Sequence, residues 1–237
     1  MARQSQPTIL LTRPLAQSQR FADQVGGAVI SPLMAPEFLS PSLPSGAFAA
    51  VIFTSETGVE AAGRISAAGG VLPTRAFCVG NRTAEAARAL GFVAQSAMGA
   101  ADDLLAQISA EPPLGRLLHL RGQDSAGDLE KRLNIAGIDT VALIVYRQIA
   151  QNLTMEAADL LQGSAPVILP IFSPRSARLM VGELRRVAAI APICLVALSA
   201  AVAEAFDFPA TLVEIAARPD SAAMIQGVAV MRASLTS

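Results

Sequence analysis

The stretch VIFTSETGVEAA, Val51 to Ala62, decides the fold. Its apolar run ends at Phe53, two hydroxyl residues follow at Thr54 and Ser55, and a helix-period pattern begins at once. A short apolar run closed by small polar residues and followed by a helix is half of a strand–helix–strand unit. Working outward, the same grammar recurs along nearly the whole chain. Strands are expected at Thr8–Leu11, Ala28–Ile30, Ala49–Phe53, Ala76–Val79, Phe92–Ala94, Arg116–Leu120, Thr140–Tyr146, Val167–Phe172, Ile193–Leu198 and Leu212–Ile215. Helices are expected between them, from Leu15–Val25 to Ser221–Ala233. Such alternation implies parallel sheets covered by helices on both faces. Ten strands are many for one doubly wound sheet, so two sheets in two domains fit better.

An internal repeat supports that division. AAVIFTSETGVEAA, then AFCVGNRTAEAARALG, then GAADDLLAQI is answered by APVILPIFSPRSARLM, ICLVALSAAVAEAF and ARPDSAAMIQGV. Ser55 matches Ser173 at 173 − 55 = 118, Asp102 matches Asp220 at 220 − 102 = 118, and Glu85 matches Glu204 at 204 − 85 = 119. The Pro-rich segment Ser31 to Gly46 is the expected first crossing between domains, and the second follows Tyr146. The expected division is therefore residues 1–34 with 148–237, a discontinuous first α/β domain, and residues 35–147, a second, joined by a two-stranded connector.

Composition narrows the function. The 237 residues carry a formal charge of −1, from 18 basic and 19 acidic side chains, which gives no field to gather nucleic acid. Aromatics are 4%, with no Trp and one Tyr, too few for base-stacking platforms. Lys131 is the only lysine; a GC-rich genome gives that bias, and arginine's planar fork also suits carboxylates. Cys78 and Cys194 each lie in an apolar run and read as small buried hydrophobes. His119, the only histidine, sits in RLLHL and reads as a core residue, and no cluster has metal spacing, so no metal is expected. The start has too short an apolar core for a signal peptide, and the longest uncharged run, Val187 to Ala203, is broken by Pro192 and falls short of the ~18 residues of a membrane span. A cytoplasmic protein without a membrane partner is expected.

The carboxyl ends of parallel strands face the side where ligands bind, and helices start there with unpaired N–H groups and a positive dipole end. Small and hydroxyl residues let an anion approach those donors. The chain repeats this arrangement at Thr12 and Arg13, Thr54 and Ser55, Gly80 with Asn81 and Thr83, Arg121 and Gly122 with Ser125, Ser173 with Ser176, and Ser199. Each alone reads as a helix cap. Together they suit a ligand with many anionic groups.

ILLTRP, VIFTSETGVEAA, CVGNRTAEAARALG, LLHLRGQDSAGDL, IVYR and FSPRSA, in that order and spacing, resemble the uroporphyrinogen-III synthase family from about Thr8 to the C-terminal helix. The resemblance implies two flavodoxin-like α/β domains, the first discontinuous, with an active-site cleft between them. It implies cyclisation and dehydration of linear hydroxymethylbilane, a substrate with eight carboxylates, to uroporphyrinogen III, with inversion of ring D, in tetrapyrrole biosynthesis. No cofactor is implied. Neither is a nucleic-acid partner. A monomer is implied, with a transient hand-over from the preceding pathway enzyme as a partner contact. By motif matching, the family's cleft tyrosine falls at Tyr146 as the catalytic candidate, and Thr12, Arg13, Thr54, Ser55, Gly80, Asn81, Thr83, Arg121, Gly122, Ser173, Arg175 and Ser199 fall in the substrate-binding set. Two departures stand out. VALSAAVA offers only Ser199 where some members carry a threonine pair, and VILPIFS puts Pro170 inside a strand, which leaves that strand's register open. Competing readings are a non-catalytic two-domain binding or regulatory protein for a polycarboxylate, and a flavin protein, against which the scarce aromatics argue.

Overall fold

The computed structural model describes residues 7–124 and 128–236. In chain order the elements are β1 (Thr8–Leu11), α1 (Leu15–Val25), β2 (Val29–Ile30), β3 (Met34–Phe38), β4 (Phe48–Phe53), α2 (Glu56–Ala67) and β5 (Arg75–Cys78). There follow α3 (Asn81–Ala89), β6 (Val93–Ser96), α4 (Ala101–Ala110), β7 (Arg116–Gly122), α5 (Leu129–Ile135) and β8 (Thr140–Ala150). The chain closes with α6 (Met155–Leu161), β9 (Val167–Ile171), α7 (Pro174–Arg186), β10 (Ile193–Ala197), α8 (Ala200–Glu204), β11 (Leu212–Ile215) and α9 (Ser221–Thr236). They form two compact units, Met1–Ala35 with Ala150–Ser237, and Pro36–Ile149. The crossings fall one residue (35 − 34) and two residues (149 − 147) beyond the expected positions.

The first unit holds a five-stranded sheet in the order β11-β10-β9-β1-β2, with neighbouring strands parallel throughout. Numbered within the unit this is the 2-1-3-4-5 order of flavodoxin-like sheets. Alternate strand residues feed two cores. Leu10, Leu169, Leu195 and Ala197 pack against α6, α7 and α8, while Ile9, Leu11, Ile168 and Val196 pack against α1 and α9. Pro170 leaves the register with β10 undisturbed, since Val196 faces Pro170 and Ala197 faces Ile171 in step. The reason is parity. The Val167 amide donates to Pro192 and the Ile171 carbonyl accepts from Leu198, so odd positions bond β10 and the donor missing at Pro170 faces β1.

The second unit holds a six-stranded sheet, β3-β8-β7-β4-β5-β6. Reading β6-β5-β4-β7-β8 against β11-β10-β9-β1-β2, the repeated strands β4, β5, β6 and β9, β10, β11 take matching places. Val51, Phe53, Leu118 and Leu120 pack on α2 and α3, and Ala50, Ile52, Phe77 and Leu117 pack on α4 and α5. β3 is a strand the sequence reading assigned only to the crossing. Pro36 is tolerated because β3 is the sheet's edge. β3 runs opposite to β8: the Leu39 amide donates to Val145, the Gln151 amide donates to Leu33, and Glu37 pairs with Arg147 between them. Among the described residues no helix is long and apolar enough to cross a membrane.

Candidate functional site

In a doubly wound sheet the strand order reverses at one point, and a crevice opens there because the flanking helices leave to opposite faces. In the second unit that point lies between β4 and β7: β4 leads to α2 on one face and β7 to α5 on the other. Phe53 and Leu120 pair level at the carboxyl edge, so Thr54 and Ser55 stand beside Arg121 and Gly122. Cys78 is level with Phe53, which brings Gly80 and Asn81 to the same edge.

Ser55 is the N-cap of α2. Its extended backbone (φ −155°, ψ 154°) lets the hydroxyl oxygen accept from the Gly58 amide at 3.0 Å. The same Oγ lies 3.0 Å from the Tyr146 hydroxyl. Two features of the backbone make that meeting possible. The pairing of β7 with β8 slips between Arg121, opposite Ile144, and Gly122, opposite Tyr146, so β8 carries one extra residue, Val145. A bulge of this kind re-aims a side chain. Gly122 then supplies the room, since a Cβ there would stand 2.6 Å from Tyr146 Cζ and 2.9 Å from its oxygen. Gly58 plays a similar part under the helix, where a Cβ would stand 3.0 Å from the Leu120 carbonyl oxygen.

Thr54 points to the other face, where its Oγ1 lies 3.4 Å from His119 Nε2. His119 is the core residue the sequence led us to expect, 3% exposed. Burial first, and then the Arg121 charge, push its ring down to about 4 from its ordinary 6.5, so it is neutral near pH 7. Sequence reasoning missed its link to Thr54, although the shared parity of residues 52, 54, 117 and 119 was a usable signal. Gly80, the N-cap of α3, is extended (φ −145°) and faces open space within 4 Å of a built Cβ. Asn81 is exposed beside it, whereas Thr83 is turned into the packing at 5% exposure.

The first unit repeats the arrangement at its own reversal point, between β1 and β9. Thr12 is buried at 3% exposure, and the Arg13 guanidinium lies 4.0 Å from the Phe172 ring centre. Ser173 caps α7, accepting from the Ser176 amide at 3.1 Å, with the two hydroxyls 2.9 Å apart. Arg175 is exposed in the first turn of α7. Ser199 caps α8 without a side-chain hydrogen bond. The serines at 55 and 173 are therefore caps in fact; each hydroxyl takes a backbone amide before it can meet a ligand. Ser125 lies outside the described residues. Cys78 and Cys194 are buried free thiols, and burial pushes both up, Cys78 to about 11. Among the described residues no three His, Cys, Asp or Glu side chains gather as a metal site requires.

Doubly wound α/β units with small polar residues at their reversal points define a protein of the class that binds ligands at the carboxyl edges of parallel strands. The chain belongs to the uroporphyrinogen-III synthase family: the HEM4 model, uroporphyrinogen-III synthase HemD, matches residues 17–226. The fold is similar to that of the uroporphyrinogen-III synthetase of Helicobacter pylori 26695, at 19% identity and a TM-score of 0.65, over 95% of this chain and 99% of that one. A mutant uroporphyrinogen III synthase from Thermus thermophilus aligns at 16% identity and a TM-score of 0.47, over 96% of this chain and 99% of that one. No curated protein matches.

Proposed function

We propose that this chain cyclises and dehydrates hydroxymethylbilane to uroporphyrinogen III, as a cyclising hydro-lyase, and that the hydroxyl pair Ser55–Tyr146 assists departure of the substrate's hydroxyl. The pair carries the reading. It has two hydroxyl hydrogens, and the bond between the two oxygens uses one. Ser55 also accepts from Gly58. One hydrogen is left for an outside acceptor, and the half-buried Tyr146 holds it when Ser55 donates.

Loss of the hydroxyl leaves an electrophilic azafulvene, and a pyrrole carbon of the same molecule attacks it. The departing oxygen gains negative charge, so a phenol bond to it strengthens in the transition state and raises the rate. The rest of the task is holding a flexible chain in the reactive geometry, which can contribute up to about 7–11 kcal/mol in favourable cases. We assign the carboxylates to both units: Thr54, Gly80, Asn81, Arg121 and Gly122 in one, where Ser55 acts through Tyr146, and Arg13, Ser173, Arg175 and Ser199 in the other. Thr12 and Thr83 support those edges from beneath. As the family resemblance implies, the protein acts as a cytoplasmic monomer that receives substrate by transient hand-over from the preceding pathway enzyme.

Incubation with freshly made hydroxymethylbilane tests the reading, because spontaneous closure gives the type I isomer. Type III product is expected. Type I alone, from folded protein, would leave a polycarboxylate-binding protein instead.

A further inference from the structure

We propose that His119 is a positioning residue that holds the Thr54 side chain as a hydrogen-bond donor toward a substrate carboxylate; this rests on the reading above, in which Thr54 meets the substrate. The starting observation is an imidazole where the fold asks for a hydrocarbon. His119 lies between Leu118 and Leu120 in β7, level with Ile52 of β4 and Ala142 of β8, and on the face where Ile52, Phe77 and Leu117 form a core. Burying a polar ring there costs free energy unless it is hydrogen-bonded.

Among the described residues the ring's hydrogen-bonding neighbour is the Thr54 hydroxyl, 3.4 Å from Nε2, while Nδ1 is buried without a partner. A neutral imidazole carries one N–H. On Nδ1 it would be a buried donor with no acceptor, whereas on Nε2 it meets Thr54 Oγ1 and leaves only a bare lone pair behind. Orphaned buried N–H groups are the rarer and costlier outcome. The geometry therefore selects the Nε2–H tautomer, with His119 donating. Thr54 then accepts from beneath, so its own hydrogen points away from the ring, toward the open edge where Thr54 is half-buried. A hydroxyl fixed in that sense suits a carboxylate, which only accepts.

The chain has one histidine, so nitrogen-15 NMR of the imidazole reads this ring alone. The free protein at pH 7 should show a neutral ring protonated at Nε2. A ring protonated at Nδ1, or a cationic ring, would overturn the proposal whatever the activity. His119→Phe, which keeps bulk but donates nothing, should raise KM about 2–10-fold, the value of one ordinary hydrogen bond, with kcat changed less and type III product retained. His119→Gln, with an amide nitrogen near the Nε2 position, should recover most of that loss. In a Thr54→Val background, His119→Phe should leave KM unchanged, and an equal further rise would show that His119 acts by packing alone. If wild-type protein makes no type III product, the parent reading fails, while the tautomer assignment still stands or falls on its own spectrum.

Discussion

Tyr146 and Gly122 argue for the site from opposite directions. Removing the phenol oxygen in Tyr146→Phe keeps the ring's packing and deletes the hydrogen aimed at the leaving group. General-acid assistance is typically worth about 10²–10⁴-fold, and we expect the lower end or less, because the pyrrole nitrogen drives departure and water can protonate the oxygen. Substrate affinity and the type III product should be retained; wild-type turnover would remove the role. Gly122→Ala keeps the phenol but puts a methyl 2.6 Å from its ring, and the ring, being a side chain, can swing away from Ser55. Turnover should fall at least as far as in Tyr146→Phe, with a melting temperature close to wild type. A Gly122→Ala enzyme of normal turnover would show that the Ser55 contact does not matter. His119 governs a pH dependence of stability. Its ring titrates at about 4 when folded and near 6.5 when unfolded, so between those values the unfolded chain binds the extra proton and stability falls as pH falls. The loss between pH 7 and 5 should be about 2 kcal/mol, against none from this position in His119→Leu, read by denaturant unfolding of both proteins. Tyr146, Ser55 and His119 were each legible as residues. Their partnerships were not, because the slip at Val145 and the close approach of the Tyr146 ring over Gly122 leave no periodic trace.

At the scale of elements, strand–helix alternation carried most of the fold, since a parallel strand buried on both faces is an unbroken apolar run and its helix follows in the 3.6 period. What escaped was β3, whose MAPEF shows neither period and survives only because an edge strand can spare a donor at Pro36. Pro170 raised the opposite question and proved harmless, its missing donor facing β1 and not β10. The helix starts divide in the same physical way. Ser55 and Ser173 are spent on capping, so their alanine variants should cost helix stability of about 0.5–2 kcal/mol besides any loss in binding. Gly80 is different. Its φ of −145° suits any residue and, among the described residues, nothing lies within 4 Å of a built Cβ, so neither backbone conformation nor packing there calls for glycine. Gly80→Ala should fold with a stability loss under about 1 kcal/mol, the difference between these residues as caps. If a carboxylate approaches the α3 amides over this residue, KM should nevertheless rise several-fold. Unchanged KM would take Gly80 out of the binding set.

At the scale of the molecule, the repeat offset of 118 has a topological meaning: both sheets place their repeated strands identically while the chain enters them at different points. The first unit starts at β1 and resumes at β9, whereas the second runs without interruption from Pro36 to Ile149, 149 − 36 + 1 = 114 residues. That continuity makes a separation possible. The second unit owns a core on each face of its sheet, Phe53 and Leu120 on one and Phe77 and Leu117 on the other, and it contains β3 from Pro36 onward and all of β8 but Ala150. A sheet with both faces covered by its own helices has buried what it needs to bury. A Pro36–Ile149 fragment should therefore fold alone and unfold cooperatively on heating. It would keep Thr54, Ser55, Gly122 and Tyr146 but lose every binding residue proposed for the first unit, so roughly half of the substrate's carboxylates would be unheld. Such a fragment has the group proposed to assist departure and lacks the means to select the attacking carbon. Incubated with hydroxymethylbilane it should give the type I isomer of spontaneous closure, at a rate little above that of buffer. Type III product at a rate near that of the whole chain would assign isomer selection to the second unit alone and end the division of carboxylates between the two.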